Sequence, residues 1–252
     1  MTKIQTFSRI ISLVPSQTEL LVDLGLKSKL VGVTKFCVHP KNLRKEVTVV
    51  GGTKQVHFEK IKALQPDIIL CNKEENTLEM VLELEKIAKV EVSDVNTFDD
   101  ALKLIKYYGE LFDTTSSANK LIAQIHANRT KFQVKRTQIP RKKAAYFIWQ
   151  KPYMVAAKST FINAMLEEAG FENVFNSKFR YPEINFNTPE LQKAELILLS
   201  TEPFPFNAEH VQLFKAEFPD KKVLIVDGEM FSWYGSRLIK CFDYFEQKKL
   251  II

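Results

Sequence analysis

Short aliphatic runs, each followed by an amphipathic segment, recur through this sequence and restrict the fold more than any other feature. In the first block "RIISLVP", "LVGVTKF", "VTVVGG", "DIILCN" and "VEVSDV" read as strands. Between them lie helical segments: "QTELLVDLG" closes at Gly25, "FEKIKALQ" stops before Pro66, and a third runs from about Thr77 to Ala88. Ser16 and Glu19 have the S-x-x-E spacing of a capping box and are expected to open the first helix. A strand, a helix and a strand in this rhythm produce a parallel pair, because parallel neighbours need a long crossover. A second block repeats the pattern with "AAYFIW", "YMVAA", the helix "FINAMLEEAGF", "ELILLS", a helix near "AEHVQLFKAEF", and "KVLIVD".

The stretch between the blocks is helical throughout. "TFDDALKLIKYYGELF" reads as one helix with Thr97 as its N-cap. "TTSSANKLIAQIHANRTKFQVK" reads as a second, uninterrupted by Gly or Pro and ~30 Å long at 1.5 Å per residue. The expected organisation is an N-terminal α/β lobe over residues 1–112, a connecting helix over 113–138 and a C-terminal α/β lobe over 139–252. A faint internal repeat accompanies it. Aligning Asp67 with Glu195 matches "KIKALQPDIILCN" to "LQKAELILLS" and sets Asn187 opposite Glu59.

Composition excludes several classes of function. No run approaches the ~18 apolar residues of a membrane-spanning helix, and the N-terminal segment has no separate apolar core or cleavage site of the secretory kind. The three cysteines, Cys37, Cys71 and Cys241, are scattered, so free thiols in a reducing, cytoplasmic compartment are expected. The net charge of +6 comes from 36 basic residues interleaved with 30 acidic ones. The one dense basic run, "KRTQIPRKK", reads as a solvated connector, and no nucleic acid partner is expected. There is no GxGxxG, GxxxxGK[ST], GxSxG or HExxH. His126 and His210 read as structural or solvated, while His39 and His57 lie near strand-to-helix connections. No intrinsic cofactor or resident metal is expected.

In a parallel α/β sheet, small molecules bind beyond the carboxyl ends of the strands. At those ends lie Phe36, Thr53 and Asn72 in the first block, and Trp149 with Met154 and Tyr181 in the second. The stretch "VDGEMFSWYGSRLIKCF" adds Glu229, Met230, Phe231, Trp233 and Tyr234 after a strand, where polar residues are the rule. Such rings either wall a binding cleft or pack an interface. Arg237, on the following helix, is assigned a structural ion pair.

These segments are familiar as a set. "RIISLVPSQTELLVDLGLKSKLVGVTKFCVHP", "VGGTKQVHFEKIKALQPDIIL", "AAKSTFINAMLEEAGFENVF", "YPEI" and "FSWYGSRL" resemble the helical-backbone substrate-binding proteins of ATP-driven importers, receptors for cobalamin, haem and siderophores. The likeness covers nearly the whole chain and leans toward the cobalamin-binding type. It implies two Rossmann-like α/β lobes with parallel sheets joined by one long backbone helix, as in class III periplasmic binding proteins. It further implies a corrinoid or related metal chelate in the cleft between the lobes, a monomer without enzymatic activity, and export to the periplasm.

The matching ligand positions are Phe36, Thr53, Asn72, Met154, Tyr181, Glu229 and Trp233, with Trp149 and Phe231 beside them. Thr53 and Asn72 stand where the family has tryptophan, and Trp233 where the cobalamin receptor has a basic residue. Docking to an ABC permease through one glutamate per lobe falls on Glu59 and on Asn187, with Glu190 one turn away. The alternative on the same scaffold is a cytosolic protein that handles or transforms a metal chelate, with Cys37, His39 or His57 as its reactive groups.

Overall fold

The computed structural model describes residues 6–137 and 139–248. Met1, and Gln138 where the connecting helix was expected to end, lie outside the described residues. The chain forms two α/β units. The first comprises residues up to Asp94, Asp100–Gln124 and Tyr234–Arg237; the second comprises Val95–Asp99, Ile125–Trp233 and the chain from Leu238 onward.

The first unit is built from β1 (Ile10–Ser12), α1 (Pro15–Asp23), β2 (Leu30–Val33), α2 (Leu43–Glu46), β3 (Thr48–Val49), α3 (Phe58–Ala63), β4 (Ile68–Asn72), α4 (Leu78–Glu85) and β5 (Lys89–Ser93). Most of α5 (Phe98–Leu111) and the first part of the 22-residue α6 (Thr115–Arg136) complete it. Its sheet has the order β3-β2-β1-β4-β5, with every pairing parallel. Ile11, Leu13, Ile69 and Cys71 on the strands pack against Ile61 of α3 and Met80, Val81 and Leu84 of α4.

α1 does not open with a capping box. The helix starts at Pro15 behind Val14, with no side-chain cap, and Ser16 and Glu19 are buried inside it. The competing interaction is an ion pair: Arg237 donates through Nε and Nη2 to the Glu19 carboxylate at 2.9 and 2.8 Å. Gly25 closes the helix as expected, at φ +89°, a conformation that costs glycine no Cβ strain.

The second unit adds β6 (Lys142–Trp149), β7 (Tyr153–Val155), α7 (Phe161–Ala169), β8 (Phe171–Asn173), β9 (Glu183–Ile184), α8 (Pro189–Gln192), β10 (Leu196–Ser200), α9 (Ala208–Glu217), β11 (Lys222–Val226), α10 (Glu229–Ser232) and α11 (Leu238–Gln247). Its sheet runs β11-β10-β6-β7-β9, with β8 also on β6. The sheet is mixed, and its departure from the parallel rule is confined to one strand. β7 is antiparallel to both β6 and β9, because residues 150–152 are too short a link for a crossover. Ala145, Phe147, Ile197, Leu199 and Phe214 centre the core.

The internal repeat has a structural counterpart. Asp67, just before β4, accepts from the Ser8 and Arg9 backbone N–H groups at 2.7 and 2.9 Å, and its own N–H donates to Arg9 O. Glu195, just before β10, accepts from Lys143 N–H at 2.8 Å, and its own N–H donates to Lys143 O. In each unit an acid thus ties the start of a central strand to the start of its parallel neighbour.

Candidate functional site

At the carboxyl edge of the first unit, β2 delivers Phe36, a ring 48% exposed. It lies over a glycine: a Cβ added to Gly52 would stand 3.3 Å from Phe36 Cε2, so a larger residue there would press on the ring. Lys35 Nζ sits 5.1 Å from the ring centroid. Thr53 follows and is half-buried.

Asn72 was expected at the same edge, and the chain ends β4 there, but its side chain is only 2% exposed and holds the loop together. Its Nδ2 donates to the Ser93 carbonyl and hydroxyl, both at 3.1 Å, while its Oδ1 accepts from Glu74 N–H at 2.8 Å. Asn76 Nδ2 reaches the Thr53 carbonyl at 2.8 Å and Lys54 Nζ the Glu74 carbonyl at 2.6 Å, clamping residues 72–76 against the turn at 53–54. The Asn72 side chain thus holds the loop. The same loop carries Glu75, which sequence reasoning passed over. Burial raises the Glu75 pKa above its ordinary value of 4.5; Lys54 opposes the shift and Glu74 adds to it.

Below this edge lies a buried polar network. Gln17 Nε2 donates to Ser93 Oγ at 2.6 Å and to the Tyr234 hydroxyl at 3.1 Å, and Gln17 Oε1 accepts from the Tyr108 hydroxyl at 2.7 Å. Tyr234, expected in an apolar wall, is thus a core residue of the first unit, 6% exposed.

In the second unit Trp149 ends β6, 39% exposed, with its ring edge-on to Phe204 at 5.8 Å. Met154 pairs with it across β7 and is half-buried. Tyr181 is half-buried in the loop before β9, with the Arg180 guanidinium 5.9 Å from its ring. Glu229 opens α10, half-buried, its N–H donating to Asp227 Oδ1 at 3.1 Å. The expected apolar wall after β11 is corrected. Phe231 is fully buried, with Tyr146 and Phe245 centroids at 5.2 and 4.9 Å, and Trp233 is only 8% exposed. The physical reason is that the stretch is no open loop: α10 is one helical turn that folds its third residue into the core.

Glu59 is exposed in the first turn of α3, and Asn187 is exposed before α8. Glu190 is held by Lys178 at 3.3 Å. Its pKa is lowered by its own backbone N–H first and by Lys178 second. The reactive-group alternative loses its nucleophile: Cys37 is buried and its pKa is raised by burial, although Thr18 and Thr34 both lie against the sulfur. Among the described residues no group of three or more His, Cys, Asp or Glu is placed to hold a metal ion, and no helix is long and apolar enough to cross a membrane.

Residues 10–221 match the family described as periplasmic binding protein. The chain belongs to that family. Among its relatives is the uncharacterized ABC transporter substrate-binding lipoprotein YvrC of Bacillus subtilis, 30% identical over 166 residues, which cover 63% of this chain and 52% of the relative. The vitamin B12-binding protein of Vibrio parahaemolyticus is 26% identical over 197 residues, 76% of this chain and 70% of that protein. The same fold occurs in the vitamin B12-binding protein BtuF of Vibrio cholerae, with a TM-score of 0.82 at 20% identity over 95% of each chain. It also occurs in a possible iron-binding protein of Staphylococcus epidermidis, with a TM-score of 0.80 at 23% identity over 97% of this chain and 99% of that one. This periplasmic binding protein therefore shares a two-unit α/β scaffold with receptors, and its family is one of substrate-binding proteins, not enzymes.

Proposed function

We propose that this periplasmic binding protein captures a corrinoid or a closely related metal chelate for ABC-type import. The observation that carries the reading is the recurrence of vitamin B12-binding proteins from Vibrio species at 23–26% identity over 76% of the chain. The exposed strand-end rings of Phe36 and Trp149 support it, since a broad planar ligand takes most of its affinity from apolar and aromatic contact. In this reading the candidate ligand contacts are Phe36 and Thr53 on the first unit; the candidates on the second unit are Trp149, Met154, Tyr181 and Glu229. The metal travels with the ligand, so the protein supplies shape and hydrogen bonds rather than coordination.

The same reading assigns permease docking to Glu59 and, on the second unit, to the surface around Asn187. Glu190 is already paired with Lys178, so the second contact carries less charge than the first.

Titration with cyanocobalamin tests the ligand class. Trp149 emission is expected to fall as ligand binds, with a matching heat in calorimetry, and Phe36→Ala should weaken binding about tenfold. No heat and no quenching at high micromolar cyanocobalamin or cobinamide would remove corrinoids. Heat with hemin or a ferric siderophore instead would move the protein to the iron-complex branch.

A further inference from the structure

We infer that Glu75 is a specificity-determining contact of the ligand edge, selecting chelates whose rim carries carboxamides over those whose rim carries carboxylates. The inference rests on the ligand class proposed above and adds the polar half of the recognition to it.

The geometry is local to the first unit. Phe36 lies over Gly52, and the loop that carries Glu75 is clamped to the turn at 53–54 through Asn76 and Lys54, so an exposed ring and a carboxyl share one short stretch of the sheet's carboxyl edge. The loop carrying Glu75 is braced at both ends: Asn72 holds Glu74 N–H, Asn76 holds the Thr53 carbonyl and Lys54 holds the Glu74 carbonyl. A braced loop presents its side chain at little further entropic cost on binding. Asn72 and Asn76 spend their side chains on holding the loop, whereas Glu75 takes no part in this bracing and is half-buried.

The charged and titratable groups that bear on Glu75 are Lys54, Glu74, Cys37 and Tyr234. Lys54 favours the ionised form and Glu74 opposes it, while Cys37 and Tyr234 are neutral, their own pKa values raised by burial. Burial outweighs the lysine, so the carboxyl keeps its proton to a higher pH than a free glutamate does. A neutral carboxyl donates to an amide carbonyl and accepts from an amide N–H, and an ionised one still accepts. Corrins carry carboxamide arms that meet both demands. Haem carries two propionates, which an ionised Glu75 repels and a neutral one meets with a single donor.

The test compares cyanocobalamin and hemin on the full chain, with Glu75→Ala and Glu75→Gln, by calorimetry from pH 5 to 8. Glu75→Ala should weaken cyanocobalamin binding about tenfold, the effect of losing one good hydrogen bond. Glu75→Gln should flatten the pH dependence seen in the wild type and tighten hemin relative to cyanocobalamin several-fold. Because glutamine is isosteric, that variant separates recognition from folding, and its near-ultraviolet circular dichroism should match the wild type. If the wild type binds cyanocobalamin and both variants keep its affinity, its pH profile and its hemin ratio, the role of Glu75 is overturned while the ligand class stands. If the wild type binds no corrinoid at any pH, the ligand class and the inference fall together.

Discussion

Glu19 and Arg237 lie 218 positions apart in sequence, yet their side chains, 7% and 5% exposed, meet in two parallel hydrogen bonds. A buried pair of this kind adds little net stability over an apolar substitute, but removing one partner strands a charge in a low-dielectric interior. Glu19→Ala should therefore cost about 3–5 kcal/mol, measured by urea unfolding followed by circular dichroism. Replacing both, as Glu19→Leu with Arg237→Met, should recover most of that loss. A single-variant cost below ~1 kcal/mol, the scale of a surface pair, would contradict the assignment. This pair also marks a limit of sequence reading at single residues. That Arg237 makes a structural ion pair was expected from the sequence, which set it on the following helix, although it lies in the turn just before α11. That its partner is Glu19 was not, because the S-x-x-E spacing is a local signal and pointed to a cap, whereas the contact that decides is long-range. Phe231 and Trp233 were misread for a related reason: apolar type locates a residue near the core but does not say whether its ring ends inside the core or on its rim.

Secondary structure was more legible than side-chain roles, because strand and helix periodicities are repeated over many residues and single exceptions average out. β1, β4, β10 and β11 appear where the aliphatic runs place them, and α6 spans the stretch without Gly or Pro. The short elements α2, β8, β9 and α10 were not legible, since two to four residues carry no periodicity. β7 lies where "YMVAA" places it, but its antiparallel direction escaped for want of a turn signal strong enough to mark a hairpin. One packing constraint between helices deserves a direct test. A Cβ at Gly109 of α5 would lie 2.5 Å from the Ala118 Cβ of α6, closer than two carbons can approach. Gly109→Ala would gain about 1 kcal/mol in helix propensity, but overpacking costs about 1–3 kcal/mol. The variant should consequently be less stable than the wild type, and Ala118→Gly in the same chain should restore it. A stabilised single variant would show that the helices part freely.

The whole chain is threaded so that neither unit is continuous in sequence. Tyr234–Arg237 belongs to the first unit although the residues on both sides belong to the second, and Val95–Asp99 belongs to the second although its flanks belong to the first. Loss of structure in the first unit frees Arg237 immediately before α11, and loss in the second frees Val95–Asp99 immediately before the body of α5. Each unit thus helps to fix an element of the other through the chain itself, which predicts one cooperative unfolding transition. The thiols report on both units: Cys37 and Cys71 lie in the first and Cys241 in the second, and all three are buried. Burial also raises their pKa values, that of Cys71 to about 12, so the native thiols should resist alkylation at pH 8. Labelling with N-ethylmaleimide across a urea series, read peptide by peptide in a mass spectrometer, should bring all three cysteines into reaction at one urea concentration. Modification of Cys241 at clearly lower urea than Cys37 and Cys71, or the reverse order, would mean that the interleaved segments come loose without consequence and that the units unfold separately.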